Sequence, residues 1–224
     1  MYRVSLALCV LCAVVPGCAT PYILDTGSPL YSYGFGNSNI NQLLWSNSYT
    51  IAPGAETITS VQLWIGLPDS SFGATLVIGQ AFTVYMWSDN NADGIPDDGG
   101  ILSSAAATIT SPYTGFQTVD IPDVTLAPGQ GFAVGALMTV QRQYPATLDG
   151  LRPSTPNRSY YAEISVNPNL ISATPANRRG FIETRGSTLG NWLMRAGSQP
   201  VPEPTSMVTL GLGLGAVIRR KRRS

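Results

Sequence analysis

The chain has 224 residues, with 13 basic and 13 acidic side chains, three cysteines and no histidine. The absence of histidine excludes histidine general bases, Ser-His-Asp triads and histidine-ligated zinc. Only 12% of the residues are charged, whereas the 23 glycines and 17 prolines favour strands and turns over helices.

The N-terminal segment has the pattern of a secretory signal peptide. A positive residue precedes the apolar run 4–15, and the small residues Gly17 and Ala19 stand where signal peptidase prefers them. We therefore expect cleavage after Ala19. The alternative is a lipoprotein signal with Cys18 as the lipidated residue, a motif that Pro16 fits poorly. All three cysteines lie in this segment, so the mature domain is predicted to have no disulfide and no thiol nucleophile.

Soon after the cleavage site, the run Asp25-Thr26-Gly27-Ser28 is similar to the catalytic turn of aspartic proteases. That chemistry needs two carboxylates that share one proton. The sequence has no second copy of this run. The preferred interpretation is a turn that Asp25 opens with Gly27.

Seven segments either alternate apolar and polar residues or are rich in β-branched and aromatic residues. They are residues 57–66, 81–87, 105–110, 115–121, 131–140, 158–165 and 191–196. Turn residues separate them, among them Pro112, Pro122 and Pro128. This spacing predicts one all-β domain over residues 20–200, a single antiparallel β-sandwich of the jelly-roll or immunoglobulin-like type. The signal peptide (1–19) and a short apolar helix within 201–224 flank this domain.

The charges are distributed unevenly along the chain. No lysine or arginine occurs from residue 4 to residue 141, where there are nine acids, whereas residues 142–199 contain seven arginines and three acids. We expect acids of the first half to pair with arginines of the second half across one fold. Residues 20–200 carry 7 arginines and 12 acids, a net charge of −5. Because binding to phosphates needs a basic stripe, no nucleic-acid partner is predicted.

An acidic loop over residues 89–98 has the spacing of a calcium loop, with oxygen-bearing side chains at positions 1, 3, 5 and 9 and Gly94 at position 6. The predicted calcium ligands are Asp89, Asn91, Asp93, the carbonyl oxygen of Ile95, and Asp97. The loop resembles those of EF-hands and thrombospondin type 3 repeats. Position 12 is Gly100 instead of a bidentate glutamate, so another acid such as Asp98 would have to complete the site. The alternative is a solvated hairpin loop without a metal.

Two groups of aromatic residues are candidates for sugar stacking. Tyr31, Tyr33 and Phe35 alternate in a Gly/Ser/Asn-rich segment, and Tyr160 and Tyr161 are adjacent. Exposed rings would stack on sugars, but the preferred interpretation is that these rings form the core face of strands.

The last 24 residues combine three elements in a fixed order. Val201, Pro202, Glu203 and Pro204 come first, then the apolar stretch 207–218, and then the basic residues Arg219, Arg220, Lys221, Arg222 and Arg223. As a helix the apolar stretch would span about 18 Å, less than the hydrocarbon core of about 30 Å. The basic cluster is expected to stay cytoplasmic. This order resembles the PEP-CTERM sorting signal of Gram-negative bacteria, which implies processing by an exosortase, a membrane peptidase.

The resemblance implies an exported protein of the cell surface or extracellular matrix, held transiently in the inner membrane of a Gram-negative-type envelope and associated with exopolysaccharide and biofilm. No catalytic residues are identified, so the protein is predicted to be non-enzymatic. One alternative is a carbohydrate-binding, lectin-like module, assisted by calcium as its cofactor. The other is a secreted hydrolase with a carboxylate pair such as Asp120 and Asp123.

Overall fold

The structure, a computed structural model, describes residues 22–36, 40–67, 75–93, 98–150, 155, 158–164, 182–183 and 190–199. These residues form eleven strands and contain no helix. The predicted signal peptide, its cleavage site at Ala19 and the predicted C-terminal helix lie outside the described residues, so the domain boundaries remain predictions.

The strands of the described residues have the following bounds. They are β1 (Pro29–Tyr33), β2 (Asn41–Thr50), β3 (Thr57–Trp64), β4 (Ala81–Asp89), β5 (Ile101–Thr108), β6 (Phe116–Thr125), β7 (Gly131–Val140), β8 (Ala146–Asp149), β9 (Ser159–Ile164), β10 (Ile182–Glu183) and β11 (Met194–Gln199).

All strand pairs are antiparallel, and the strands form three sheets. The large sheet has the order β10-β9-β2-β7-β4-β5, the small sheet has the order β11-β3-β6, and β1 pairs with β8. The chain passes from the large sheet at β2 to the small sheet at β3 and back at β4. The prediction of an all-β, antiparallel, sandwich-like fold is therefore confirmed.

The core lies between the large and the small sheet. Alternate residues of a strand point to the same face, so each of these strands contributes every second side chain. The large sheet supplies Leu43, Trp45, Val84, Met86, Phe132 and Val134, and the small sheet supplies Ile58, Val61, Leu63, Val119 and Met194. Each such side chain contributes about 1.5–3 kcal/mol when it is fully buried.

A buried polar network joins the two sheets within this core. The Asn47 amide of β2 donates 2.9 Å hydrogen bonds to the carbonyl oxygens of Trp192 and Met194. The Tyr49 hydroxyl also donates to Met194, and the Ser159 hydroxyl donates to Asn47 Oδ1 at 2.7 Å. Because these groups are buried, they depend on one another for their hydrogen bonds.

The observed strands differ from the predicted segments in two instructive places. Pro122 does not mark a turn but lies inside β6, where the register shifts between the pairs Ile58–Val124 and Ser60–Asp120. A proline has no N–H to donate, and a bulge in an edge strand tolerates it. No strand was predicted at the position of β2, although this strand pairs with both β7 and β9 in the middle of the large sheet.

Candidate functional site

The turn that resembles an aspartic-protease motif is held by an ion pair. The Arg195 side chain contacts both carboxylate oxygens of Asp25, with Nη2 2.6 Å from Oδ1 and Nε 3.1 Å from Oδ2. The Gly27 N–H donates to Asp25 Oδ1 at 2.8 Å, and Gly27 has a φ of 78°. Asp25 therefore opens a turn with Gly27, as predicted.

Further contacts surround this turn. The guanidinium carbon of Arg195 lies 3.9 Å from the centre of the Phe116 ring. The Thr26 backbone N–H and hydroxyl both donate to the Asp149 carboxylate. The Asp25–Arg195 pair joins a first-half acid to a second-half arginine, as the charge distribution predicts.

The acidic loop begins where β4 ends, and its described part is closed by Asp98. The Asp98 carboxylate accepts 2.9 Å hydrogen bonds from the backbone N–H groups of Asn90 and Asn91. Asn91 Oδ1 accepts the N–H of Asp93 at 2.9 Å. Of the predicted ligands, Asp89 is 2% exposed, whereas Asn91 and Asp93 are exposed.

The calcium site remains a prediction. Ile95 and Asp97 lie outside the described residues. Within the part of the chain that the structure describes, no group of three or more acidic, histidine or cysteine side chains is placed to hold a metal ion.

Most of the aromatic residues suggested for sugar stacking belong to the core. Tyr33 packs against Tyr161 with ring centres 4.5 Å apart. Phe35 and Tyr160 are buried. Tyr31 is the exception, since it is 48% exposed. The core interpretation of Tyr33, Phe35 and Tyr161 is therefore confirmed, whereas Tyr160, which pairs with Ser46, is buried on the opposite face of β9.

A second apolar cluster lies on the face of the large sheet that points away from the core. It consists of Leu44, Trp87, Ala133, Leu137 and Ala162, with Tyr85 packed against it. The rings of Tyr85 and Trp87 stack, with centres 5.5 Å apart and planes 27° apart. We call this side of the sheet the outer face.

A depression of about 600 Å³ opens beside this cluster, where β2, β7, β4 and β5 run side by side. The described residues that line it are Gln42, Ala81, Phe82, Thr83, Tyr85, Ala106, Ala107, Thr108, Leu137 and Thr139. The volume is within the usual range of small-molecule sites, about 300–1,000 Å³. The sequence analysis did not predict this depression. One feature of the sequence did indicate a second apolar face. The segment 81–87 has apolar residues at positions that point to both sides of the sheet, which predicts that both sides are buried.

Among the described residues, no helix is long and apolar enough to span a membrane. The proposed sorting residues from Val201 onwards are not part of that set.

Two solved structures resemble this chain in fold. One is a clostridial cysteine protease, Cwp84 after propeptide cleavage, with a TM-score of 0.54 and 18% identity, covering 82% of this chain and 40% of that chain. The other contains the cysteine protease and lectin-like domains of Cwp84, a surface-layer-associated protein of Clostridium difficile, with a TM-score of 0.48, 17% identity and coverages of 72% and 33%. The chain thus spans less than half of either structure. At 18% identity, the likeness to the first structure concerns the fold alone.

No curated protein matches the sequence. The sequence model of the PEP-CTERM protein-sorting motif, however, matches residues 200–223. This range contains the Pro-Glu-Pro run, the apolar stretch and the basic cluster that suggested the resemblance. The chain therefore carries a PEP-CTERM sorting motif, the signal of an exported, envelope-associated protein.

Proposed function

We propose that this protein is a non-enzymatic component of the cell surface or extracellular matrix that associates with exopolysaccharide. The observation that carries the proposal is the PEP-CTERM motif at residues 200–223. An exosortase-type peptidase would process the tail near Pro202, Glu203 and Pro204. The two prolines favour an extended backbone there, the form in which a peptidase can bind a substrate chain.

The chemistry of the described carboxylates supports a non-enzymatic role. Asp25 is neutralised by Arg195, and Asp98 accepts two backbone N–H groups. A hydrolase of the aspartic-protease or glycosidase type needs two carboxyl groups that cooperate in a cleft. The depression on the outer face is lined by no carboxylate among the described residues.

A second candidate function is a carbohydrate-binding, lectin-like module, which calcium would assist through the acidic loop. The observation that favours it is the open depression beside the stacked rings of Tyr85 and Trp87. Aromatic rings with a few polar side chains in a concave site are typical of small-molecule binding sites.

Co-sedimentation with the exopolysaccharide of the producing bacterium tests both candidates. The full-length chain is incubated with the polysaccharide in calcium and in chelator. Retention in both conditions supports exopolysaccharide association without calcium, and retention only in calcium supports the calcium-assisted module. No retention in either condition contradicts the exopolysaccharide association. Replacing Pro202, Glu203 and Pro204 by alanine should leave an unprocessed, membrane-bound chain, and normal release of this variant would contradict exosortase processing.

A further inference from the structure

The depression on the outer face has the chemistry of a site for an uncharged sugar ring. This inference rests on the proposed association with exopolysaccharide and names the ligand class and the surface that binds it. Three features of the described residues support this inference: an aromatic ring packed on a second ring, a set of uncharged polar groups, and the absence of charged side chains from the lining of the depression.

Tyr85 supplies the ring. On one side it stacks on Trp87, which is only 6% exposed, and it also lines the depression. A β carbon added at Gly135 would lie 2.9 Å from Trp87 Cζ3, so the indole lies directly against the backbone of β7. A ring supported in this way loses little conformational freedom when a flat ligand packs on it.

The polar groups of the lining are hydroxyls and an amide. Thr83, Thr108 and Thr139 lie on β4, β5 and β7, and Gln42 lies on β2. Gln42 Oε1 is buried and accepts no hydrogen bond from any described residue. A buried acceptor without a donor is unfavourable, so a rotation of this amide that turns Oε1 towards the depression, where a ligand hydroxyl can donate to it, would remove that cost.

The described residues that line the depression include no charged side chain, although residues 20–200 carry a net charge of −5. An anionic sugar would therefore meet a negatively charged protein without a basic partner in the site. We propose that the depression binds a neutral polysaccharide, with one sugar ring stacked on Tyr85 and its hydroxyls bonded by the threonines and Gln42.

The test uses the producing bacterium's own exopolysaccharide, separated by ion exchange into a neutral and an anionic fraction. The full-length chain is purified in a polyoxyethylene detergent, because the headgroup of a glycoside detergent would compete for the site. We expect the neutral fraction to bind. Tyr85→Ala should weaken this binding about tenfold or more, as for other aromatic anchors of interfaces, and Tyr85→Phe should retain it. Thr118→Val, at an exposed position of β6 in the small sheet, is the control and should bind like the wild type.

Because Tyr85→Ala removes a packed ring, Gln42→Ala and Thr83→Val provide independent tests in which the stacked rings remain. Circular dichroism and thermal melts establish that each variant is folded. Neutral binding that none of these three variants weakens, or binding of the anionic fraction alone, would overturn the assignment of this site while leaving exopolysaccharide association intact. If neither fraction binds the wild-type chain, the proposed function itself fails.

Discussion

At the scale of single residues, Asp25 shows that a sequence motif alone does not establish a catalytic function. The run Asp25-Thr26-Gly27 matches a protease turn, yet its carboxylate is buried and held by Arg195 from 170 residues further along the chain. Sequence reasoning identified the turn, because a glycine two residues after an aspartate is a local signal. It could not identify which arginine binds the carboxylate, because that choice depends on the folded chain.

Asp25→Ala should lower the free energy of unfolding by about 2–3 kcal/mol. Removing one partner of a fully buried pair costs about 3–5 kcal/mol, and we reduce this value because the Arg195 side chain is 19% exposed. Urea unfolding followed by tryptophan fluorescence measures the change. Asp123→Ala, on an exposed position of β6, is the control and should stay within about 0.5 kcal/mol of the wild type. Equal stability of the two variants would contradict a stabilising role for the pair.

The Tyr49 hydroxyl predicts a loss of stability in alkali. Burial, opposed by the hydrogen bond from Asn47, raises the pKa of Tyr49 above its ordinary value of 10.0. In the unfolded chain the same group ionises near pH 10, so the folded state holds one more proton above that pH. The ionisation of this hydroxyl should therefore not affect stability at neutral pH, and stability should fall as the pH rises above about 10, by up to about 1.4 kcal/mol per pH unit.

Urea unfolding between about pH 8 and pH 11 measures this slope. Tyr49→Phe has no group to ionise, so its stability should fall less steeply in alkali, although at neutral pH it should lose about 1 kcal/mol with the hydrogen bond to Met194. Tyr31→Phe, at an exposed position, is the matched control. An alkaline slope that Tyr49→Phe leaves unchanged would assign the effect to other groups.

At the scale of elements, the strands predicted from the sequence are those that turn residues bound. β7 was predicted with its observed bounds, Gly131–Val140, because Pro128 and Gly129 mark its start. β2 was missed because the polar Asn47 faces the core, whereas the apolar Leu44 belongs to the outer cluster. These two residues break the alternation of polar and apolar side chains by which a strand is recognised.

The hairpin between β4 and β5 allows a test of the acidic loop at this scale. Asp98→Ala removes the acceptor of two backbone N–H groups and should lower the free energy of unfolding by about 1–2 kcal/mol. Asp93→Ala should cost less than about 0.5 kcal/mol in chelator, because Asp93 is exposed.

Calcium separates the two interpretations of the same loop. If the predicted site binds calcium, the ion raises the melting temperature of the wild type, and Asp93→Ala abolishes this increase. Melts that are identical in calcium and in chelator would leave the loop as a hairpin closed by Asp98. The position of this loop was predictable from the turn residues, whereas the contacts that close it were not.

At the scale of the whole molecule, the sorting motif and the outer face differ in how far sequence reveals them. The motif at residues 200–223 is recognised in the linear order of its residues, so the sequence predicts it without a fold. The depression is assembled from β2, the β4–β5 hairpin and β7, which are separated along the chain. Only strand pairing brings Gln42 and Tyr85 to one surface, and the sequence contains no signal for that pairing.

The folded arrangement of the strands also determines which side chains join the two sheets. Asn47 and Tyr49 of β2 both donate to the carbonyl oxygen of Met194 in β11, so the two side chains act together across the core. Asn47→Leu should cost about 1–3 kcal/mol, because it removes the buried hydrogen bonds to the carbonyl oxygens of Trp192 and Met194, although each carbonyl keeps a second donor. Combined with Tyr49→Phe in a double-mutant cycle, it should show a coupling energy above about 0.5 kcal/mol.

The comparison pair is Asn47→Leu with Asp98→Ala, whose effects should add to within about 0.5 kcal/mol because Asp98 lies in an exposed loop and shares no partner with Asn47. Denaturant unfolding of the single and double variants gives both coupling energies. Additivity in both cycles would mean that Asn47 and Tyr49 stabilise the fold independently of each other. Coupling confined to the first cycle would show that the buried polar network joins the large sheet to β11, the strand that directly precedes the sorting motif.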